Sequence, residues 1–322
     1  MCTAIAFRSR QGDTLFGRTM DFSHPISPSV YVTPRGYVWT NRLRTIRLRS
    51  RYGILGIGQD LEGVLFADGV NERGLSAAAL YFPGYAAYDS PDTAGGALVI
   101  AAVELNSFLL GMCASVEQAA ALVRTVRIVG TEDPVTHSVA PLHWILTDRT
   151  GQCLVIEKTA GGLFLHENPI GVLTNSPDFP WHMTHLRSFV QLRPEQEEQA
   201  RWGNMELEPF GQGGGTWGFP GDFTPPSRFI RAAYLKGHIP APETRQEAMM
   251  VGFHILENLS IPRGAVVTSR GTDDYTQYTA VLNTADGSYA VRTYEDGRIR
   301  TARLTEQALS GSKAACLFAL ER

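Results

Sequence analysis

The sequence has 322 residues, of which 43% are hydrophobic and 19% charged, and its formal net charge is −3. This composition is typical of a globular protein with a sizeable core, and the slight acidity argues against nucleic acid or an anionic membrane as the main partner. No apolar stretch reaches the roughly 18 residues of a transmembrane helix, and the N-terminus lacks a signal-peptide pattern. We therefore expect a cytoplasmic protein.

Strand patterns dominate the beginning, the middle and the end of the chain. Hydrophobic runs separated by Gly-containing turns predict antiparallel hairpins in these regions. The predicted strands cover residues 2–7, 14–20, 142–147, 153–157, 275–282, 289–294 and 299–304. The first hairpin, closed by a turn at Gly12 and Asp13, brings Arg18 and Asp21 towards Cys2.

Helical patterns lie between the strand regions, and residues 115–118 and 244–247 have the pattern of capping boxes. The predicted helices cover residues 97–110, 119–126, 181–192, 227–236 and 248–259. Residues 209–226 are rich in Gly and Pro without the Lys-Ser/Thr of a phosphate loop, so they are predicted to form a structured loop. This order of elements, with no evident linker or repeat, favours one α+β domain over residues 1–322, with antiparallel sheets covered by helices.

The remaining cysteines point to packing rather than to metal or disulfide chemistry. Cys113, Cys153 and Cys316 are widely spaced without a C-x-x-C pair, and we expect them in the core. His137 and His143 have no matching carboxylate in a zinc-type pattern. The sequence therefore predicts neither a metal nor another cofactor.

Cys2 directly follows the initiator Met1 and precedes Thr3. A methionine before a small residue is readily removed, which leaves Cys2 with a free α-amine beside its thiol. Such a pair places nucleophile and base on one residue, a recognised way of activating a thiol. Alternatively, Cys2 only begins a buried strand, since cysteine packs as a small hydrophobe.

Several ordered motifs accompany Cys2 along the chain. They are MCT at 1–3, GRTMD at 17–21, ADGVNERGL at 67–75, LTNSP at 173–177 and PGDFTPPSRF at 220–229, together with 141–144 and 275–279. With these motifs the sequence resembles the choloylglycine hydrolase family, which holds the bile salt hydrolases and penicillin V acylases. The resemblance runs nearly end to end.

The resemblance implies an N-terminal nucleophile hydrolase fold with four layers, αββα. It also implies that Cys2 is the nucleophile. Asp21 is then expected to orient the α-amine, and Asn175 to donate an N–H to the oxyanion. Arg18 and Arg228 are expected to place positive charge near the thiol.

One position departs from the bile salt hydrolases within this resemblance. They typically carry asparagine where this sequence has Tyr81, and tyrosine resembles the penicillin V acylase version. The backbone N–H of Tyr81 is expected to complete the oxyanion hole, and its ring offers a wall on which an aromatic acyl group stacks. Alternatively, Tyr81 only fills space. The other candidate pocket residues are apolar: Met20, Phe22, Phe66 and Leu142.

The leading hypothesis is an amidase that cleaves a linear amide C–N bond, with penicillin V as the model substrate. The close alternative is a bile salt hydrolase. An alternative from another class is a ligand-binding protein without catalysis on the same fold, which predicts that replacing Cys2 by Ala leaves function intact.

The resemblance further implies a homotetramer, with a segment equivalent to about residues 189–219 reaching between subunits. Trp202, Phe210 and Trp217 in this segment are large apolar residues, as burial against a partner requires.

Overall fold

The computed structural model describes residues 1–91, 97–133 and 137–320. Its strands are β1 (Cys2–Arg8), β2 (Thr14–Phe22), β3 (Ser29–Thr33), β4 (Val38–Thr40), β5 (Arg47–Arg49), β6 (Ile54–Asp60), β7 (Val64–Asn71), β8 (Ser76–Tyr81), β9 (Leu98–Ala101), β10 (Val126–Val129), β11 (Glu132–Asp133), β12 (Ser138–Val139), β13 (Leu142–Thr147), β14 (Cys153–Thr159), β15 (Gly162–Glu167), β16 (Val172–Leu173), β17 (Ala200–Trp202), β18 (Met205–Leu207), β19 (Tyr275–Asn283), β20 (Ser288–Thr293), β21 (Arg300–Arg303) and β22 (Ala315–Ala319). The α-helices are α1 (Leu105–Met112), α2 (Val116–Val123), α3 (Phe179–Leu186), α4 (Pro225–His238), α5 (Arg245–Glu257) and α6 (Glu306–Leu309).

Two large antiparallel sheets form the centre of the fold. One has six strands in the order β16-β1-β2-β19-β20-β21, and the other has eight in the order β15-β14-β13-β8-β7-β6-β3-β22. The N-terminal strand β1 therefore lies inside a sheet, between β16 and β2. Pairing on both sides fixes the first residues of the chain. Terminal residues without such pairing are usually poorly ordered.

Helices cover the outer faces of both sheets. Helices α4 and α5 pack on the six-stranded sheet, while α1 and α2 pack on the eight-stranded sheet. One buried cluster joins the two sheets and continues to α4 and α5, and a second lies between the eight-stranded sheet and α1 and α2. This arrangement confirms the predicted four-layer αββα fold.

The helix starts follow the predicted capping chemistry. Ser115 accepts a hydrogen bond from the backbone N–H of Gln118 at 3.2 Å, and Thr244 accepts one from that of Glu247 at 3.2 Å. Thr224 caps α4, which begins at Pro225, so α4 starts two residues earlier than predicted. The early start puts Arg228 in the first turn of the helix. No helix in the described part of the chain is both long and apolar enough to span a membrane.

Two sequence predictions about the middle and the end of the chain are wrong. Residues 98–101 form β9, which pairs in parallel with β10, rather than the first turns of a helix. The β-branched Val99 and Ile100 favour this pairing, and α1 begins only at Leu105. Cys316 is exposed rather than buried, because β22 is the edge strand of its sheet. Cys113 and Cys153 are buried as predicted.

The backbone of β7 lies so close to Gly56 that a side chain at this position is expected to destabilise the fold. A Cβ at Gly56 would lie 2.1 Å from the carbonyl oxygen of Asp68 and 2.7 Å from the Cα of Gly69, and backbone atoms have little room to move. We expect Gly56→Ala to lower the free energy of unfolding by about 2 kcal/mol. Gly237 in α4 has open space around it, so Gly237→Ala is expected to raise that free energy by about 0.5 kcal/mol. Thermal unfolding followed by circular dichroism tests both, and equal effects would contradict the packing at Gly56.

Candidate active site

The β1–β2 hairpin and its neighbour β19 bring the thiol and its surroundings together. Cys2 pairs with Met20 across β1 and β2, and Ala4 pairs with Arg18, so Arg18 is a diagonal neighbour of Cys2. Directly opposed residues point to the same face of a sheet. Tyr278 of β19 pairs with Met20 and joins this face, which looks towards the eight-stranded sheet.

Arg18 contacts the Cys2 thiol directly. Its Nη2 lies 2.9 Å from Sγ of Cys2 and 3.4 Å from Sδ of Met20. Its other N–H groups donate to the carbonyl oxygens of Thr19, Ala67 and Ala79 at 3.2, 3.4 and 3.2 Å. Burial alone lowers the pKa of Arg18, but Tyr278, Cys2 and Asp68 raise it beyond its usual value. The guanidinium is thus a fixed positive charge in direct contact with the sulfur, a surrounding typical of reactive cysteines.

Asn175 and Arg228 hold the backbone of Cys2. Oδ1 of Asn175 accepts hydrogen bonds from the backbone N–H of Cys2 at 2.9 Å and from Nη2 of Arg228 at 2.7 Å. Nη1 of Arg228 donates to the carbonyl oxygen of Cys2 and to Oγ1 of Thr3, both at 2.6 Å. Nδ2 of Asn175 donates to the carbonyl oxygen of Tyr81 at 2.7 Å. One of the two N–H groups on Asn175 Nδ2 is therefore engaged with the Tyr81 carbonyl in this chain.

Asp21 lies fully buried beside this network. Its carboxylate accepts hydrogen bonds from the hydroxyls of Thr276 at 2.6 Å and Thr19 at 3.2 Å, and Nη1 of Arg228 lies 3.9 Å away. Burial raises the pKa of Asp21, an effect that the charge of Arg228 opposes. No hydrogen bond from the backbone N–H of Cys2 to this carboxylate is present, because that N–H donates to Asn175.

The structure carries Met1, and this residue extends β1. The backbone N–H of Asp21 donates to the carbonyl oxygen of Met1 at 2.9 Å. The Met1 amine donates to the carbonyl oxygen of Asp21 at 2.5 Å and lies 3.1 Å from the carboxylate of Asp274. Asp274, which the sequence analysis missed, is thus a second carboxylate beside the N-terminus. Removal of Met1 would take this amine away and make the Cys2 nitrogen, which here donates to Asn175, the new N-terminus.

An apolar cavity of about 160 Å³ opens beside the Cys2 thiol. The predicted residues Met20, Phe22, Phe66, Tyr81 and Leu142 all line it. The rings of Phe22 and Tyr81 contact each other, with centroids 5.2 Å apart and planes inclined by 59°. The cavity also has an aliphatic wall, which no sequence motif marks: Ile26, Ile57, Leu61, Leu65 and Val103.

Two buried histidines support the segment that carries Asn175. Nε2 of His143 lies 3.0 Å from the carbonyl oxygen of Thr174, and Nε2 of His182 lies 2.9 Å from that of Asn175. His182 also stacks on Phe229, with centroids 4.7 Å apart. Burial lowers the pKa of His182 to about 4, so it is neutral near pH 7. Among the described residues, no cluster of three or more His, Cys, Asp or Glu is placed to bind a metal ion.

The lowered pKa of His182 predicts a pH dependence of stability. The folded state prefers neutral His182, whereas the unfolded chain binds a proton on this residue below its pKa of about 6.5. The free energy of unfolding is therefore highest above about pH 6.5 and decreases as the pH falls towards about 4. Over that range His182 costs the fold about 3 kcal/mol. His182→Gln keeps a donor without titrating, so its unfolding free energy should change less between pH 6.5 and pH 4. His254→Gln on the exposed face of α5 is the control, and an equal slope in wild type and His182→Gln would contradict the prediction.

Comparison with known proteins agrees with this geometry. The family model of linear amide C–N hydrolases, choloylglycine hydrolase family, matches residues 2–317. A bile salt hydrolase/transferase of Clostridium perfringens is 36% identical over 319 residues, covering 97% of this chain and 95% of that protein. The crystal structure of a C2A mutant of the conjugated bile acid hydrolase from Clostridium perfringens superposes with a TM-score of 0.92 at 34% identity, covering 100% of this chain and 97% of that one.

A penicillin V acylase from Agrobacterium tumefaciens has the same fold at greater distance. Its TM-score is 0.77 at 22% identity, covering 97% of this chain and 90% of that one. The match to the family model spans nearly the whole chain and includes Cys2. The chain is a linear amide C–N hydrolase and belongs to the choloylglycine hydrolase family.

Proposed function

We propose that this hydrolase cleaves amides whose acyl group is compact and aromatic, with penicillin V as the model substrate. The observation that carries this proposal is the ring of Tyr81, which lines the cavity beside Cys2 and contacts Phe22 at 5.2 Å. Two inclined aromatic rings present both a face and an edge to an acyl group. An aromatic acyl group gains about 0.5 to 1.5 kcal/mol from such contacts beyond its area burial.

The proposed reaction begins with the processed N-terminus. The Cys2 amine takes the thiol proton, and the thiolate forms a bond to the acyl carbonyl carbon, whose electron pair moves to oxygen. Arg18 at 2.9 Å from Sγ favours the thiolate. Asn175 and the backbone N–H of Tyr81 are the proposed donors to the oxyanion. One N–H of Asn175 Nδ2 donates to the Tyr81 carbonyl, and the second N–H of the same nitrogen is the proposed donor to the oxyanion.

The later steps return the enzyme to its starting state. The C–N bond breaks, and the Cys2 ammonium gives its proton to the leaving amine. Water, deprotonated by the same amine, then attacks the thioester carbonyl. The C–S bond breaks, the carboxylic acid leaves, and the proton on the Cys2 amine returns to the thiolate. Asp21 and Asp274 are proposed to hold the amine through both proton transfers, since both carboxylates lie near the Met1 amine, one residue from the amine of Cys2.

Hydrolysis of conjugated bile acids is the second candidate. It is supported by the 36% identity with the bile salt hydrolase/transferase of Clostridium perfringens. The aliphatic wall of the cavity offers apolar surface for a steroid acyl group as well. The two candidates share the mechanism and differ in what fills the cavity.

Exchange of Tyr81 separates the two candidates. We expect wild type to have the higher kcat/KM for penicillin V than for glycocholate. Tyr81→Asn should shift the ratio of the two values towards glycocholate by about tenfold, because the aromatic contact is lost and a polar amide replaces it. Amine release from both substrates measures this ratio.

Two control variants define the outcomes. Tyr85→Asn changes a tyrosine outside the cavity lining and should leave the ratio unchanged. Cys2→Ala should remove both activities. Faster glycocholate cleavage by wild type, with a ratio insensitive to Tyr81→Asn, would favour the second candidate, and activity retained in Cys2→Ala would contradict the nucleophile.

We also propose that the chain forms a homotetramer through the segment 189–219. Large apolar side chains in this segment are exposed in the single chain, among them Trp202, Phe210 and Trp217. A double variant, Trp202→Ser with Trp217→Ser, should therefore lower the mass measured by light scattering, whereas Val267→Ser, exposed elsewhere, should not. A wild-type mass of one chain, or a tetramer that survives the double variant, would contradict the proposal.

We also propose that the protein is located in the cytoplasm. Cys2, Cys113, Cys153 and Cys316 are all free, as a reducing cytoplasm favours. Cell fractionation with an antibody against the chain tests this placement.

A further inference from the structure

A buried carboxylate lies beside Arg18, near the guanidinium nitrogen that does not contact the Cys2 thiol. Asp68 of β7 is 1% exposed, and its Oδ2 lies 3.5 Å from Nη1 of Arg18. The hydroxyl of Tyr278 donates to Oδ2 at 2.6 Å, and the hydroxyl of Tyr289 donates to Oδ1. Every member of this cluster is buried. A charged group in such a place is tolerated only when it is paired and hydrogen-bonded, which Asp68 achieves.

The cluster connects the two sheets at the position of the thiol. Arg18, Tyr278 and Tyr289 belong to β2, β19 and β20 of the six-stranded sheet, and Asp68 belongs to the eight-stranded sheet. Burial and the charge of Asp68 raise the pKa of both tyrosine hydroxyls well above the usual value, so both remain donors. Burial also raises the pKa of Asp68, while Arg18 and the two hydroxyls favour its charged form.

We propose that Asp68, held by Tyr278 and Tyr289, is a positioning residue that fixes the Arg18 guanidinium against the Cys2 sulfur and offsets part of its charge. The proposal rests on Cys2 as the nucleophile. One end of the guanidinium contacts sulfur at 2.9 Å and the other faces the carboxylate, so the cation is shared between two anions when the thiolate forms.

Sharing the Arg18 charge between Asp68 and the Cys2 sulfur is expected to keep the thiolate reactive. A thiolate that is stabilised too strongly attacks more slowly, because nucleophilicity falls with basicity. The charged or titratable groups around Cys2 come from several elements: Arg18 and Asp21 of β2, Arg228 of α4, Tyr278 of β19, and Asp274 with the N-terminal amine. Asp68 is the carboxylate that faces Arg18 directly, and its removal leaves the guanidinium charge to the sulfur alone.

The test compares thiol reactivity with amide hydrolysis in the processed full chain. Cys316→Ser serves as the background, since the exposed Cys316 thiol would also react with iodoacetamide. In Asp68→Asn we expect the pH midpoint of Cys2 alkylation to fall by about one unit, because the offsetting negative charge is gone. We expect kcat/KM for the amide substrate to fall about tenfold, mainly in kcat, since Arg18 loses its anchor.

Tyrosine variants keep the proposal testable if Asp68→Asn does not fold. Tyr289→Phe and Tyr278→Phe each remove one donor to Asp68 and should lower kcat several-fold with little change in KM. Tyr294→Phe, which lies outside the cluster, should leave kcat unchanged. A merely structural role would lower stability and active fraction while leaving the alkylation midpoint in place.

Two outcomes would overturn the proposal. One is an unchanged or higher alkylation midpoint in folded Asp68→Asn, and the other is full kcat in that variant or in both tyrosine variants. Failure of the nucleophile assignment is distinguishable, because it would leave amide hydrolysis intact in Cys2→Ala, whatever the behaviour of Asp68→Asn.

Discussion

Two buried guanidinium groups hold the first residues of the chain between the layers of the fold. Arg18 is 1% exposed and Arg228 is fully buried, and their N–H groups are directed at backbone carbonyls, the Cys2 sulfur and the Asn175 side chain. Removing two charges from water has a large desolvation free energy, which must be offset by surrounding hydrogen bonds and opposite charges. Asp68 and Asp21 supply those opposite charges. The candidate site and the interior of the sandwich therefore share one buried network of charges and hydrogen bonds.

This buried network explains how the start of the chain is held firmly enough to serve as a reaction centre. β1 is paired on both sides, and Arg228 binds the Cys2 carbonyl at 2.6 Å, so the thiol has a fixed position relative to the cavity. A nucleophile held within a short distance of its supporting groups avoids most of the ordering cost of reaction. Met1 accepts a hydrogen bond from the backbone N–H of Asp21, and its amine lies 3.1 Å from the carboxylate of Asp274.

Much of this arrangement was predictable from the sequence. The features that were not predictable depend on tertiary contacts between distant parts of the chain. The first hairpin brings Arg18 and Asp21 to Cys2 because its turn and hydrophobic run define the register, and the motifs mark Asn175 and Arg228. The contact of Asp68 with Arg18 joins two sheets across a long sequence separation, which local periodicity does not encode. Residues 98–101 look helical because a short apolar run has no distinctive period, and tertiary pairing with β10 decides their state. Cys316 is exposed since edge position is a property of sheet order.

The most direct test of the account is the mass of the chain trapped during turnover. Purified protein is mixed with penicillin V, quenched in acid within the first turnovers and digested, and the N-terminal peptide is weighed. We expect this peptide to begin at Cys2 and to carry the acyl group of the substrate as a thioester on that residue. Full activity from a chain that retains Met1, or an acyl group found on another residue, would contradict Cys2 as the N-terminal nucleophile.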